Sequence, residues 1–327
     1  MAANAGPRLD RLPMSAFHRR IMRLIGIGMF FDGFDIYVAS TVLGATLKAG
    51  FSTLSQNALF VSMTFLGMTL GALATGFLGD RYGRRFTYQA NLMIFGLASL
   101  AAAFAPGMGA LIACRFVMGL GLGAENVVGY ATLTEFVPPQ VRGRQQGLMA
   151  VMVVTGLPVS ALVGLLLVPQ LGWRVMFLLG GLGALAVWYA RKSLPESPRW
   201  LESAGRHAEA ERLLQRIEAE AAAEHGPLPP VAAAAAPAYA RSFGALFTPT
   251  ILPRLLLGCL LLVVINTLLY GFVTWLPTFF VSQGMNVARS FAFAFVMSLG
   301  APLGSAIGAL GADRWGRKPC IIGASLL

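Results

Sequence analysis

Four ionisable residues lie inside long apolar runs of the sequence: Asp32, Asp35, Glu125 and Arg115. An ionised side chain at the centre of a bilayer costs at least ~2.5 kcal/mol, so each of the four should face a partner or a wet cavity. The proton affinity of a buried carboxylate depends on how close a guanidinium lies. These residue types therefore predict reversible proton uptake at the acids, controlled by their distance from Arg115.

Helix geometry adds an expectation about which of the four can meet. Asp32 and Asp35 are three residues apart and share one helix face. With a rise of ~1.5 Å per residue, Glu125 lies nearly level with Asp32, whereas Arg115 lies ~10 Å beyond Asp35, so contact between them requires a tilt or a kink. We expect Asp35 and Arg115 to couple to protons, with Asp32 or Glu125 sharing the proton. The alternative is a static ion pair that joins two helices.

The same apolar runs contain candidate contacts for a solute. An organic anion would need a cation, and Arg115 is the only one that these runs offer. The other candidates are aromatic and amide side chains: Tyr37, Asn126, Tyr130, Asn266, Tyr270 and Trp275. The aromatic residues could equally pack or face lipid, and the amides could join helices by hydrogen bonds.

The apolar runs also determine the fold class. Hydrophobic residues make up 56% of the 327 residues and charged residues only 12%, with a mean hydropathy of +0.68. A soluble domain carries about 25% charged residues, so this class is excluded, as are disordered chains and disulfide scaffolds. At ~20 residues per crossing, the runs predict an all-α membrane protein, because only helices satisfy the backbone of such segments in lipid. Eight spans are predicted at about 24–46, 57–79, 86–105, 109–133, 145–168, 173–191, 254–281 and 288–311, with a ninth beginning near Cys320.

The basic residues predict the orientation of these spans. Most of the 25 Lys and Arg residues lie in the N-terminal segment and in every second loop. Basic loops remain cytoplasmic, so we expect a multi-pass protein of the cell (inner) membrane with a cytoplasmic N-terminus. The net charge of +11 then reflects topology. The lipid bilayer is the expected partner, and nucleic acid is not.

Cysteine and histidine form no pattern that indicates a metal site or an enzyme. The three cysteines lie in apolar runs and the three histidines outside them. No zinc-ligand spacing or nucleophile motif is present. We therefore expect no metal, no cofactor and no enzymatic activity.

The chain divides into three parts. Residues 1–192 contain six spans, residues 193–253 form a polar connector, and residues 254–327 begin a second group of spans. Within the connector, alternating Glu and Arg with an apolar stripe predict a surface helix over 201–220. An Ala- and Pro-rich stretch over 221–241 predicts a flexible linker.

A short motif occurs twice, after the second span of each group. Asp80-Arg81-Tyr-Gly83-Arg84-Arg85 recurs as Asp313-Arg314-Trp-Gly316-Arg317-Lys318. Internal repeats of this kind are typical of transporters. Here the sequence resembles the major facilitator superfamily over nearly its whole length. The segment from Arg115 to Glu125 looks like the family's fourth-helix motif, and Pro195 to Leu201 looks like its connector signature.

The resemblance implies a fold and a gate. The fold is a major-facilitator-like helical bundle with a complete N-terminal six-helix half and a partial C-terminal half. Because the family has twelve spans, the chain is expected to be truncated after the eighth. The implied cytoplasmic gate consists of Asp80, Arg81, Gly83, Arg84, Arg85, Glu135, Arg142, Arg144, Asp313, Arg314, Gly316 and Arg317. Arg142 and Arg144 could bridge bundles through Glu135 or Glu196, or could be solvated surface charge.

Two further motifs narrow the resemblance. Asp32-Gly33-Phe34-Asp35 is similar to the aromatic acid:proton and metabolite:proton symporter branch, and Tyr270 to Pro277 also fits that branch. Proton-coupled relatives use a similar acid in span one and a similar Arg in span four. The resemblance implies proton symport of a small organic acid by alternating access. The alternatives are a sugar or polyol porter, although its Gln-Leu-Ser triplet is absent, and, from another class, a truncated non-transporting chain or a solute sensor.

Overall fold

The computed structural model describes residues 4–231 and 247–326, and the regular structure in these ranges is helical. The helices follow one another with short turns, apart from the connector. Their bounds are α1 Ala5–Asp10, α2 Ala16–Lys48, α3 Leu54–Tyr82, α4 Arg84–Ala103, α5 Met108–Phe136, α6 Pro139–Leu171, α7 Arg174–Ala190, α8 Pro198–Ser203, α9 His207–His225, α10 Leu252–Ser282, α11 Val287–Ser298, α12 Gly300–Trp315 and α13 Arg317–Leu326. The prediction of an all-α helical bundle is confirmed.

Seven of the eight predicted spans each coincide with one helix, and the eighth, 288–311, is divided between α11 and α12. In the described residues, seven helical segments are long and apolar enough to cross a membrane: α3 to α7, α10, and α11 with α12. The first predicted span lies within α2, which at 33 residues is long enough to cross at ~1.5 Å per residue. It contains Asp32 and Asp35, whose side chains are buried.

The two copies of the repeated motif form the same turn. α3 ends at Gly83 with φ +96° and ψ 165°, and α12 ends at Gly316 with φ +88° and ψ 157°. A positive φ is readily adopted only by glycine, which explains its place in both copies. The next helix begins at the residue that follows each glycine.

Helices α3 and α5 pack with their backbones in close contact. Gly67 and Gly71 on α3 face Gly119 and Gly123 on α5. A Cβ atom at Gly71 would meet the carbonyl oxygen of Leu120, and one at Gly123 would meet that of Met68. Small residues at these four positions therefore let the two helices approach closely. This contact fixes α5, which carries Arg115 and Glu125.

The apolar core consists of two clusters of buried side chains. One cluster joins α2, α4, α5 and α7, and includes Phe95, Leu122 and Phe177. A second cluster joins α1, the start of α2, the end of α5, α8 and α9. We call the end of the bundle that contains this second cluster the basic end. Helices α10 and α12 contact α2 and α6 respectively and leave most of their apolar side chains exposed.

The connector is more helical than predicted. The surface helix predicted over 201–220 is two helices, α8 and α9, separated by Gly205 with φ +75°. α9 continues to His225, so the prediction of a flexible linker beginning at residue 221 is wrong for 221–225. Alanine favours helix, and Ala221 is fully buried in the second cluster. The remainder of the predicted linker lies outside the described residues from 232 onward.

An N-terminal strap, residues 4–12, lies across α9 at the basic end. Arg8 binds Glu211 at 2.6 Å and Glu218 at 2.7 Å, and Arg11 binds Glu218 at 2.6 Å. The hydrogen bond from Arg8 lowers the pKa of Glu211. Burial raises the pKa of Glu218, but the hydrogen bonds from Arg8 and Arg11 outweigh it and lower the pKa overall.

We expect Glu218→Gln to loosen the strap. The substitution removes the charge that two arginines share, and a partly exposed charge network is worth about 1 kcal/mol. Amide hydrogen exchange in residues 5–10 should accelerate about fivefold. Because the folded pKa of each carboxylate lies below its ordinary value, the network stabilises the strap above about pH 4.5 and weakens as the pH falls below it.

Glu209→Gln is the matched control for this experiment. Glu209 also lies on α9 but pairs with Arg206 at the start of the same helix. Its removal should leave exchange in the strap unchanged. Equal exchange in wild type and Glu218→Gln would show that the ion pairs of Glu218 do not hold the strap.

Candidate functional site

A buried ion pair joins α2 to α5 inside the bundle. Arg115 donates from Nη1 to Oδ2 of Asp35 and from Nη2 to the Asp35 carbonyl oxygen at 2.9 Å. Its Nε donates to Oγ1 of Thr64 on α3 at 3.1 Å, and its guanidinium lies 5.3 Å from the ring centre of Phe60. Three helices therefore hold one guanidinium, and both members of the pair are inaccessible to solvent.

The pairing corrects the depth expected from helix rise. That estimate placed Arg115 ~10 Å beyond Asp35 because it treated both helices as straight and parallel to the membrane normal. It also ignored the length of the arginine side chain, which carries the guanidinium several bonds away from its Cα atom. The structure brings the two residues into direct contact.

A second buried arginine, Arg191, was missed by the sequence analysis. It follows α7 in a short 3-10 turn and is only 1% exposed. Nη1 donates to Oε1 of Glu125, while Nε and Nη2 donate to the carbonyl oxygens of Leu24 at 2.9 Å and Ile25 at 2.8 Å. The expectation that Arg115 is the only cation inside the spans is therefore wrong. The signal was available: Glu125 had no partner, and the sixth span ends at an arginine.

Asp32 has no such partner. Its side chain is 1% exposed, and no donor from residues 4–231 or 247–326 reaches either carboxylate oxygen. Glu125 Oε2 and Asp35 Oδ1 are likewise without a donor in these ranges. Among the residues that the structure describes, the bundle therefore holds three buried acids and two buried arginines, and two of these acids are ion-paired.

The candidate solute contacts divide into two groups. Tyr37 on α2 stacks on Tyr270 of α10, with ring centres 6.1 Å apart and an interplanar angle of 29°. Phe65 of α3 lies 5.0 Å from the same tyrosine ring. These aromatic residues connect the first six spans to α10, close along α2 to Asp35.

The remaining candidates are not gathered there. Asn126 and Asn266 donate to the carbonyl oxygens of Leu122 and Leu262 in their own helices, at 3.2 and 2.7 Å, and Asn266 is exposed. Tyr130 packs against the second core cluster at the basic end, and Trp275 is half-buried. Among the candidates, Tyr37 and Tyr270 therefore contact each other, and Arg115 contacts Asp35, two residues before Tyr37 on α2.

The first copy of the repeated motif forms a charge network at the basic end. Arg84 binds Asp80 at 2.8 Å and Glu135 at 2.9 Å. Glu196 accepts hydrogen bonds from the backbone N–H groups of Arg84 and Arg85, at 2.9 and 3.2 Å. Burial raises the pKa of Glu196, although these backbone donors oppose the shift. Through Glu196, the connector signature thus binds the backbone of the turn between α3 and α4.

The other predicted gate residues behave differently. Arg142 donates to the Val137 carbonyl oxygen and contacts Asp10, so its expected bridge through Glu135 or Glu196 is absent among the described residues. Arg199 takes that place, donating to the Glu135 carbonyl oxygen and to Asp10. Two further basic side chains of the predicted gate, Arg81 and Arg85, lie beside the Tyr82 ring and the Lys192 carbonyl oxygen respectively.

The second motif copy is only partly described. Gly316 forms the turn, and Arg314 is exposed. The side chains of Asp313 and Arg317 lie outside the described residues. A latch between the two motif copies therefore stays a prediction.

A cavity of about 950 Å³ opens at the basic end between α2, α6 and α12. Its walls are largely apolar and include Met22, Met149 and Met152. Arg19, Arg23 and Arg144 stand around it. Arg144 is exposed and has no ion-pair partner in the described part of the chain. A cavity with apolar walls and cationic side chains suits a small amphipathic anion.

Comparison with known proteins places these features in a family. The profile described as "Sugar (and other) transporter" matches residues 22–327. An inner membrane metabolite transport protein of Escherichia coli, YdjE, is 38% identical over 98% of this chain and 72% of its own length. The niacin transporter NiaP of Acinetobacter baylyi is 35% identical over 97% of this chain and 72% of its own length.

A solved structure shares the fold. The xylose transporter XylE of Escherichia coli, in a partially occluded inward-open conformation, superposes with a TM-score of 0.70 over 93% of this chain and 75% of the other, at 19% identity. The family and its named members are membrane transporters and not enzymes. On these grounds the chain belongs to the sugar (and other) transporter family of the major facilitator superfamily, whose members include metabolite transporters.

Proposed function

We propose that the chain transports a small organic acid together with protons, by alternating access. The observation that carries this proposal is the buried pair of Asp35 and Arg115 in the interior of the first six spans. A solute carboxylate that binds Arg115 competes with Asp35 for the same guanidinium. Once Asp35 loses its partner, protonation removes the cost of an isolated buried charge. Solute and proton are therefore taken up together.

The aromatic contacts and the relatives support an aromatic acid as the solute. Niacin, named in the relative from Acinetobacter baylyi, carries a carboxylate on an aromatic ring. Tyr37, two residues after Asp35 on α2, stacks on Tyr270, and the two rings would offer aromatic surface to such a solute. The other four candidates are weaker. The amide groups of Asn126 and Asn266 bond within their own helices, and Tyr130 and Trp275 lie elsewhere. A sugar is the second candidate, because the matching profile is that of sugar (and other) transporters. The likeness to the xylose transporter is one of fold alone.

We further propose that the basic end is cytoplasmic and contains the gate. Arginines are concentrated there, as in the loops that stay inside a membrane. Arg84 binds both Asp80 and Glu135, and Glu196 accepts hydrogen bonds from the backbone of the turn between α3 and α4. Such a network would need to rearrange when the two halves of a transporter move. The N-terminus would then be cytoplasmic, in the inner membrane.

Uptake into proteoliposomes tests the proposal. With an inward-directed proton gradient, labelled niacin should accumulate above its equilibrium level, and a protonophore should abolish the accumulation. Labelled xylose should not accumulate. Protein-free liposomes provide the baseline.

Three results would overturn parts of this proposal. Niacin accumulation that is unaffected by the protonophore would remove proton coupling. Accumulation of xylose without niacin would favour the sugar porter. No movement of either solute, nor of other aromatic carboxylates, from protein that remains monodisperse would favour a non-transporting chain.

A further inference from the structure

The buried charges do not balance within the bundle. Asp35 and Arg115 form a neutral pair. The other group consists of Asp32, Glu125 and Arg191, which together carry two potential negative charges and one positive charge. All three side chains are at least 99% buried. A buried charge without a counter-charge is expensive, so one carboxylate in this group needs another positive charge.

We propose that Asp32, Glu125 and Arg191 form a second proton site, which holds one proton on the two carboxyl groups in the conformation captured here. The site is separate from the pair formed by Asp35 and Arg115. Its arginine was not among the ionisable residues that the sequence places within a span.

The position of Arg191 explains why it cannot neutralise both acids. Two of its three nitrogens donate to the Leu24 and Ile25 carbonyl oxygens of α2, which leaves Nη1 for Glu125. Gly28 makes room for the guanidinium, because a Cβ atom there would collide with Nη2. Arg191 is therefore held in one place, and neither oxygen of Asp32 receives a hydrogen bond from the described residues.

In the described part of the chain, the surroundings of Asp32 supply no cation other than Arg191. The charged groups that act on it are Glu125 of α5, Arg191 after α7 and Asp35 on its own helix. The nearby titratable group on α4 is Tyr88, whose ring lies 5.8 Å from the Arg191 guanidinium. α6 faces this part of α2 with the backbone of Val153 and Gly156, against Gly33 and Phe34. The excess carboxylate is therefore neutralised most simply by a proton.

The site lies next to the pair that the proposed mechanism uses. Asp32 and Asp35 are three residues apart on one helix face. A proton stored at Asp32 is thus one helical turn from the carboxylate that loses Arg115 when an anionic solute binds. This use of the proton rests on the proposed function, whereas the protonation itself does not.

Infrared difference spectroscopy of the purified protein tests the site without any solute. A protonated carboxylic acid has a C=O stretching band that carboxylates and amides lack. Wild type at pH 7 should show one such band. Asp32→Asn leaves Glu125 balanced by Arg191, and should abolish the band. Asp35→Asn is the matched control on the same helix, and should retain the Asp32–Glu125 band.

Two further variants test the charge count and guard against a folding failure. Glu125→Gln leaves Asp32 with Arg191 as the compensating cation, and should also abolish the band. Arg191→Gln leaves two acids without a cation, and should roughly double it. Each variant is first checked for monodispersity in detergent.

A wild type without the band, or a band that survives both Asp32→Asn and Glu125→Gln, would refute the second site. A band lost only in Asp35→Asn would place the proton on Asp35 and refute it equally.

Transport by Asp32→Asn distinguishes the site from its use. If the stored proton is coupled, gradient-driven accumulation of niacin should fall at least tenfold, while exchange of labelled for unlabelled niacin without a gradient persists. If wild type shows the infrared band but Asp32→Asn accumulates niacin as wild type does, the site is protonated and transport does not use it. That result would overturn its role as a proton store. Failure of niacin transport in wild type would count against the proposed function and leave the spectroscopic result standing.

Discussion

Asp35→Asn should abolish the proton-driven accumulation of solute, so that the solute only equilibrates across the membrane. Asparagine keeps the shape of the side chain but cannot exchange a proton. Removing Asp35 also leaves the Arg115 charge buried without a counter-charge, which costs about 3–5 kcal/mol of folding stability. Arg115 would keep its hydrogen bonds to the Asp35 carbonyl oxygen and to Thr64, so the helices stay connected. Gradient-driven niacin uptake into proteoliposomes measures the effect.

The exchange reaction separates a coupling role from a structural role. A carrier that has lost its proton site can still exchange labelled for unlabelled solute across the membrane, because no net proton movement is needed. Exchange should therefore persist in Asp35→Asn, whereas a misfolded variant would lose both activities. Asp10→Asn is the control, since Asp10 pairs with Arg199 at the basic end and lies outside the buried site. Undiminished gradient-driven uptake by Asp35→Asn would remove Asp35 from the mechanism.

The pair formed by Asp35 and Arg115 was predictable from the sequence because both residues are costly inside a span. Their rarity identified them, although helix rise alone placed them too far apart. Contact depends on tilt and side-chain reach, which hydropathy does not encode. Arg191 was harder to predict, because it lies where the sixth span meets the connector. At such a boundary, one turn of helix decides whether an arginine is solvated or buried.

The span pattern was predictable for a related reason. Apolar runs of bilayer length must form helices, and the repeated motif indicated the two groups of spans and the turns at Gly83 and Gly316. The extension of α9 to His225 and the packing of the strap on α9 were not predictable. They depend on tertiary contacts of Ala221 and Arg8, and the local composition of this stretch is also compatible with a linker.

Gly71→Ala should lower the thermal stability of the protein and disturb the buried site. The added methyl group would collide with the Leu120 backbone, so α3 and α5 must separate. Overpacking of this kind costs about 1–3 kcal/mol, which corresponds to a fall in Tm of about 5–10 °C. Because Thr64 on α3 binds Arg115 on α5, the same separation would weaken the hold on the guanidinium. Scanning fluorimetry in detergent measures the first effect, and niacin uptake the second.

Gly76→Ala in the same helix is the matched control, and its effect should have the opposite sign. A Cβ atom at Gly76 meets nothing within 4 Å. Alanine favours helix over glycine by up to ~1 kcal/mol, so this variant should be as stable as wild type or slightly more stable. Similar values of Tm for the two variants would show that the backbones of α3 and α5 can separate at little cost. The position of Arg115 beside Asp35 would then depend on the hydrogen bonds of the guanidinium itself and not on the glycine contact between the helices.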